Sequence, residues 1–219
     1  MNPKSNPGVQ PEKRDTERRG IMSRLFALEN SKAAYVADLV LYGIAVVGLA
    51  VFLFATGSEH HRLEWVALTL AGLGSWTLIE YVLHRFVLHG IKPFSLWHEE
   101  HHRRPKALII TPTIVTASIS VLLVFLPAFL ILGNLRDACA FTLGILAGFL
   151  AFGITHHAVH HWRFDNAWLK QLKHWHALHH HTRQGSYYGV TSIFWDRVFG
   201  STEKPRKRMN QAIYSPGDR

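Results

Sequence analysis

Four long apolar runs dominate the chain, joined by short polar stretches and followed by a mixed, histidine-rich region. The first covers roughly 33–55, with Asp38 near its start. The second covers 63–83, with Glu64 at its start and Glu80 near its end. The third, 107–132, and the fourth, 138–155, carry no charge at all. A helix needs about 20 apolar residues to cross a bilayer's hydrocarbon core. The third run meets that length outright, and the others meet it once their interfacial ends are counted. The pattern therefore predicts an all-α integral membrane protein with a four-helix bundle. Pro112 and Pro127 are expected to kink the third helix or mark its ends, because proline removes a helical N–H and clashes with the preceding turn. Four such runs in 219 residues leave too little polar surface for a soluble protein.

The flanks read differently. Residues 1–30 are polar, contain Pro3, Pro7 and Pro11, and carry the run Glu12-Lys13-Arg14-Asp15. This composition predicts a disordered basic tail. It lacks the apolar stretch and small-residue cleavage site of a secretory signal. Residues 204–219 read as a polar C-terminal tail, leaving 31–203 as the membrane domain.

Charge changes the picture in one respect. The formal net charge is +9, which on a soluble domain would point to nucleic acid. Of the 24 Lys and Arg residues, however, only Arg62 and Arg136 fall in the two short loops at 56–62 and 133–137. The rest lie before 33, in 84–106 and after 155. Cytoplasmic segments carry the Lys/Arg excess of membrane proteins. Both termini and the 84–106 segment are thus expected on the cytoplasmic side, and no nucleic-acid partner is needed to explain the charge. The lone Cys139 sits in an apolar run, where it reads as a small buried residue, and it allows neither a disulfide framework nor a thiolate site.

Histidine is the unusual component, with 16 residues. His60 and His61 lie in an outer loop. The others fall on the predicted cytoplasmic side in four groups: His84 and His89; His98, His101 and His102; His156, His157, His160 and His161; and His174, His176, His179, His180 and His181. Residues three and four apart share a helix face. That spacing predicts that His98, His101 and His102 point one way, as do His176, His179 and His180, and that His156 pairs with His160. His84 and His89 are five apart, so they either serve different metals or lie across a helix distortion. Neutral imidazole is a ligand for iron, zinc, copper and nickel. The cluster exceeds what one metal takes, so two metals are expected. His157, His161, His174 and His181 are the spare members.

The motifs resemble the fatty acid hydroxylase/sterol desaturase superfamily of membrane di-iron proteins. The resemblance is carried by Glu80 to His89, by His98-Glu99-Glu100-His101-His102 with Arg103-Arg104-Pro105, by the His156 to His161 run, and by Leu172-Lys173 leading to His176-Ala177-Leu178-His179-His180. The stretch Tyr188 to Ser201, with Trp195-Asp196-Arg197-Val198-Phe199-Gly200, is similar to that superfamily's C-terminal signature. The resemblance implies a membrane bundle under a helical cytosolic cap that carries the metals. It implies O2 activation at two iron ions, with zinc able to replace iron in isolated protein. It implies as ligands His84, His89, His98, His101, His102, His156, His160, His176, His179 and His180. In the third motif, fatty-acid 2-hydroxylases match His156 and His160, and carotenoid hydroxylases match His156 and His161. Yeast-type fatty-acid 2-hydroxylases carry a fused cytochrome b5 domain. None is visible in this sequence, so a separate electron donor of cytochrome b5 or ferredoxin type is expected.

These readings converge on an O2-dependent lipid hydroxylase that acts on a fatty acyl or sphingolipid-type C–H bond and takes its substrate from the bilayer. A carotenoid or sterol hydroxylase or desaturase is the alternative within the superfamily. The membrane is the bacterial inner membrane or the endoplasmic reticulum. Glu80, four residues before His84, is expected to hydrogen-bond a ligand imidazole or to sit solvated at the interface. Asp196 is expected to do likewise or to pair with a nearby Arg. Arg85, Lys173 and Arg183 are candidates to hold a headgroup, and Tyr187, Tyr188, Trp162, Trp168, Trp175 and Trp195 read as cap core or interface anchors. Two readings from other classes fit less well. A metal transporter needs ionisable groups near the bilayer midplane, where none of the four runs has one. A non-catalytic structural zinc site uses four ligands, often with Cys.

Overall fold

The computed structural model describes residues 29–181 and 185–202. The two expected tails therefore lie outside the described residues, apart from Glu29 and Asn30. Among the described residues the fold is helical, with one isolated bridge between Glu29 and Ile109.

Helix α1 spans Lys32–Thr56 and starts at Ser31, whose side chain accepts the Ala34 N–H. A short 3-10 turn, Glu59–His61, leads into α2, Arg62–Val82, which continues as a π-helical segment, Leu83–Leu88. Helix α3 is Phe94–Arg103. Helix α4 is the continuous stretch Thr113–Leu132. A π segment at Ser120–Phe125 precedes Pro127, where the chain lacks a backbone N–H. Helix α5, Leu135–His161, is capped by the Asn134 side chain. Helix α6 is Ala167–His181, and α7 is a short turn, Phe194–Val198.

Four of these helical stretches are long and apolar enough to cross a membrane: Lys32–Ala55, Glu59–Leu88, Thr113–Leu132 and Leu135–His161. Their bounds differ from the apolar runs in an informative way. The third helix starts at Thr113 rather than at 107, because Pro112 occupies the N-cap and 107–112 is not helical. The second and fourth helices run past their apolar stretches by about one to two turns, and the added turns carry His84, His156 and His160. Composition marks the hydrocarbon span, whereas the helix itself continues into the cap.

Helix α5 is the centre of the bundle: half of its membrane window is buried, against 22% or less for the other three. It packs on α1, α2 and α4. Glycine allows its close approach to α2, since a Cβ on Gly144 would lie 2.0 Å from the Thr69 carbonyl oxygen. Small residues at helix crossings serve this purpose in membranes. Leu53, Trp65, Cys139, Ala140 and Leu143 form a core at the end opposite the histidines, and the Trp65 indole N–H donates to Asp137 at 3.0 Å. The outward faces remain apolar and exposed, as at Leu70, Leu130 and Ile131, which suits contact with lipid.

Candidate metal centre

The ten histidines singled out by the motifs come together at one end of the bundle in two groups of five. His84, His89, His98, His102 and His179 form one group, and His101, His156, His160, His176 and His180 form the other. Within each group the candidate ligand atoms lie within 4.8 Å of one another.

Local structure explains the division. In a π-helix, residues five apart are joined along the axis, as residues four apart are in an α-helix. The π segment at Leu83–Leu88 therefore brings His84 and His89 into one group despite their spacing. On α3 and α6 the histidines do not all face one way. His98 and His102 belong to one group and His101 to the other, while His176 and His180 belong to one and His179 to the other. At roughly 100° per residue, positions three and four along flank the first on opposite sides, so each helix faces both groups.

The spacing between rings indicates what the groups hold. Nε2 of His98 lies 3.0 Å from Nε2 of His84, 3.1 Å from that of His89 and 3.0 Å from that of His102. In the second group the His101–His156, His156–His160, His160–His176 and His176–His180 Nε2 pairs are 3.1, 3.2, 2.8 and 3.1 Å apart. One ring N–H can satisfy one such neighbour, so the remaining contacts set lone pair against lone pair. The Nδ1–H of His84 donates to the Tyr188 carbonyl, and that of His179 donates to the Ser186 carbonyl at 2.8 Å. Both rings therefore turn a bare Nε2 inward. A cation inside each group converts this repulsion into ligation, and imidazole nitrogen suits iron and zinc. The donor set thus fits one metal ion per group.

Burial supports the same protonation state. Desolvation first, and neighbouring imidazoles second, push His101 down to about 3, His102 to about 4 and His180 to about 2. Burial lowers His179 to about 3 despite its carbonyl partner, and burial lowers His98 and His176 well below the ordinary histidine range. The ordinary value for histidine is about 6.5, so these six are neutral, metal-ready imidazoles at pH 7.

Two buried carboxylates act on the loop behind the site rather than on the rings. Glu80 is 3% exposed, and its Oε1 accepts the Val190 N–H at 2.7 Å and the Thr191 N–H at 2.9 Å. Its Oε2 accepts the Thr191 hydroxyl. Glu80 is thus neither solvated nor bonded to His84. Asp196, fully buried, accepts the Tyr188 N–H and the Ser201 hydroxyl on Oδ1, at 2.8 and 2.7 Å, and the Gly189 N–H on Oδ2 at 2.8 Å. Its partners are two backbone N–H groups and one hydroxyl, not an Arg. Gly189 is required here, because a Cβ would lie 1.9 Å from the Ser192 carbonyl oxygen. The two carboxylates hold the 188–191 loop, and the loop's Tyr188 carbonyl holds His84. Sequence spacing gives no sign of carbonyl partners, since every residue has one.

The spare histidines stay outside. His157 and His161 stack on each other with centroids 4.3 Å apart, and His157 also lies against Tyr35. Of the alternatives in the third motif, His160 stands in a group, and His161 is exposed. His174 and His181 are exposed and belong to neither group. His60 and His61 sit on the 3-10 turn at the far end of α2. Among the aromatics, Trp162 and Trp168 are exposed, whereas the Tyr188 ring lies 5.4–5.9 Å from the rings of His84, His89 and His179 and forms part of the site wall. Arg85 packs over Tyr81, Phe86 and Tyr188 rather than standing free for a headgroup.

A cavity of about 140 Å³ touches both groups, through His84 and His98 of the first and His101 and His156 of the second. Its walls are mainly apolar, with Leu39, Leu88, Phe149 and Phe152, and α1 adds Tyr35, Asp38 and Tyr42. A site of that size takes a benzene-sized guest, roughly six carbons.

A membrane helix bundle that gathers ten imidazoles into two groups of five beside a largely apolar cavity has the donors for two metal ions, the arrangement of a membrane hydroxylase. Residues 69–201 match the fatty acid hydroxylase family, and the chain belongs to that family. It is 37% identical over 155 residues to the ceramide very long chain fatty acid hydroxylase scs7 of Schizosaccharomyces pombe, covering 64% of this chain and 44% of that protein. It is 38% identical over 142 residues to the dihydroceramide fatty acyl 2-hydroxylase FAH2 of Arabidopsis thaliana, covering 59% and 58%. A solved structure of full-length scs7p, in which only the hydroxylase domain is visible, matches with a TM-score of 0.60 at 28% identity, over 80% of this chain and 66% of that one. The chain thus spans less than two thirds of the length of these relatives.

Proposed function

We propose that this protein is an O2-dependent lipid hydroxylase that holds one iron ion in each histidine group and oxidises a C–H bond of a fatty acyl chain. Family membership supports the reaction class, and the names of the relatives support the acyl substrate. The observation that carries the reading is the convergence of the two groups on one cavity. Two iron ions there would supply the reduction of O2: one oxygen atom enters the C–H bond as a hydroxyl, and the other leaves as water with two electrons and two protons from outside. An electron donor of cytochrome b5 or ferredoxin type provides the electrons.

The chain's own residues do the rest. His84, His89, His98, His102 and His179 bind the first ion, and His101, His156, His160, His176 and His180 bind the second. The Tyr188 and Ser186 carbonyls fix the tautomers of His84 and His179 and so aim their Nε2 atoms. Apolar walls at Leu88, Phe149 and Phe152 exclude water and lay the acyl segment against both groups. The histidine face is cytoplasmic, as the Lys/Arg distribution indicates.

The test is expression in cells grown under isotopically heavy O2, followed by mass analysis of their lipids. Wild type is expected to yield a hydroxylated acyl lipid carrying one heavy oxygen, absent when His101→Ala is expressed to the same level. Metal-replete wild-type protein that produces no labelled lipid would contradict the proposal.

A further inference from the structure

The two histidine groups match in ligand number and differ in what stands behind the ligands. An imidazole that ligates through Nε2 carries its hydrogen on Nδ1, and that N–H needs an acceptor. In the first group His84 and His179 have one each, the Tyr188 and Ser186 carbonyls. Both carbonyls belong to a segment that is itself held. The Tyr187 N–H donates to the Ser201 carbonyl at 3.1 Å, and the Tyr188 N–H donates to Asp196 at 2.8 Å. In the second group the Nδ1 atoms of His176 and His180 are buried and have no hydrogen-bond partner among the described residues. His98 and His102 of the first group have no such atom, and His89 is exposed.

The consequence falls on the metal-bound state. Without an ion, one of the two rings can keep its hydrogen on Nε2 and donate it to a neighbour, either His176 to His160 at 2.8 Å or His180 to His176 at 3.1 Å. Ligation by both rings uses both Nε2 lone pairs. Both hydrogens then sit on Nδ1, where they meet neither an acceptor nor solvent. A buried N–H left unpaired opposes the state that creates it. His84 and His179 carry no such penalty, because their Nδ1–H groups are already paired. An outer partner of a ligating histidine is worth about 10–100-fold in metal affinity. We propose that the two ions are held unequally. The group of His84, His89, His98, His102 and His179 is the tight site, and the group of His101, His156, His160, His176 and His180 is the weak one, which fills last and empties first as free metal falls. This rests on the two-ion centre of the proposed hydroxylase and makes its completeness depend on metal supply, through the second group alone. Access does not decide the order, since the exposed ligand His89 belongs to the tight site.

The experiment reads metal binding at equilibrium, with zinc as the probe and no turnover. Full-length protein in phosphatidylcholine nanodiscs is equilibrated against buffers of graded free zinc, and zinc per chain is measured. His180→Ala leaves the first group whole, and His102→Ala leaves the second group whole, so each variant reports one site without a neighbouring ion. The ion of His180→Ala is expected to persist to free zinc at least about tenfold lower than that of His102→Ala. Equal affinities, or the tighter ion in His102→Ala, overturn the proposal. Wild type answers the same question if either variant does not fold. Loaded with one zinc per chain and treated with diethyl pyrocarbonate, it is expected to show His89 and His102 protected and His160 and His180 still modified, by mass spectrometry of its peptides. Protection of the second group instead, or of both groups to the same extent, overturns the proposal. The labelled-lipid assay decides the hydroxylase activity separately, so two ions held with equal affinity would sink this inference and leave that reading intact.

Discussion

At the residue scale the site depends on backbone that the histidines do not supply. Glu80 is the clearest case. Its two oxygens hold two N–H groups and one hydroxyl of the 190–191 segment, well away from solvent. Removing the carboxylate leaves those donors unpaired, and each buried orphan costs about 1–3 kcal/mol. Glu80→Ala is expected to lower thermal stability by that order and to loosen the first histidine group, through the Tyr188 carbonyl that positions His84. Thermal denaturation in detergent, read beside metal content, checks it, and unchanged values for both would refute the assignment. The gathering of the histidines is legible in the sequence, because four groups at short helical spacings on one side of the bundle cannot all be incidental. The partners of their outer nitrogens were not legible, because a carbonyl oxygen leaves no mark in a residue string. Asp196 is likewise visible in the sequence only as an acidic residue near the site, and its partners are the Tyr188 and Gly189 N–H groups and the Ser201 hydroxyl.

At the element scale, two features decide how the site forms. The π segment of α2 converts a five-residue spacing into a shared face, and neither Leu83 nor any other residue in it signals this by type. Spacing alone left His84 and His89 either apart or across a distortion; the distortion is the answer. The division of His98, His101 and His102 between groups is likewise not legible in their spacing, because side chains that share a helix face can still reach two targets. The other feature is the close crossing of α2 and α5, which sets the distance between their histidine-bearing ends. A side chain on Gly144 would meet the Thr69 carbonyl and push the helices apart. Gly144→Val is expected to cost about 1–3 kcal/mol, the usual range for overpacking, and to reduce metal binding in both groups. Thermal denaturation with elemental analysis tests this, and a variant with wild-type stability and metal content would show that the crossing tolerates the added atoms.

At the scale of the whole molecule, the metals would act as a clasp. Each group draws ligands from three elements: the first from α2, α3 and α6, the second from α3, α5 and α6. Ions that bind the folded chain alone stabilise it by mass action. Stripping them with a strong chelator is expected to lower the melting temperature and to make α6 the first segment exposed to protease, with readdition of ferrous iron or zinc restoring both. A melting temperature indifferent to chelator would mean that the ions contribute nothing to holding the cap. The bundle itself was readable from four apolar runs, and the cap helices were readable only through their histidines, since the runs end where the hydrocarbon does.

The most direct measurement is metal content per chain on anaerobically purified protein, for wild type and three single variants. Wild type is expected to hold about two metal ions, iron at least in part, with about one lost in His102→Ala, about one lost in His180→Ala, and none lost in His161→Ala. Loss of the same single ion in His102→Ala and His180→Ala, or a wild type holding one ion or none, would contradict the two-group centre on which the hydroxylase reading stands.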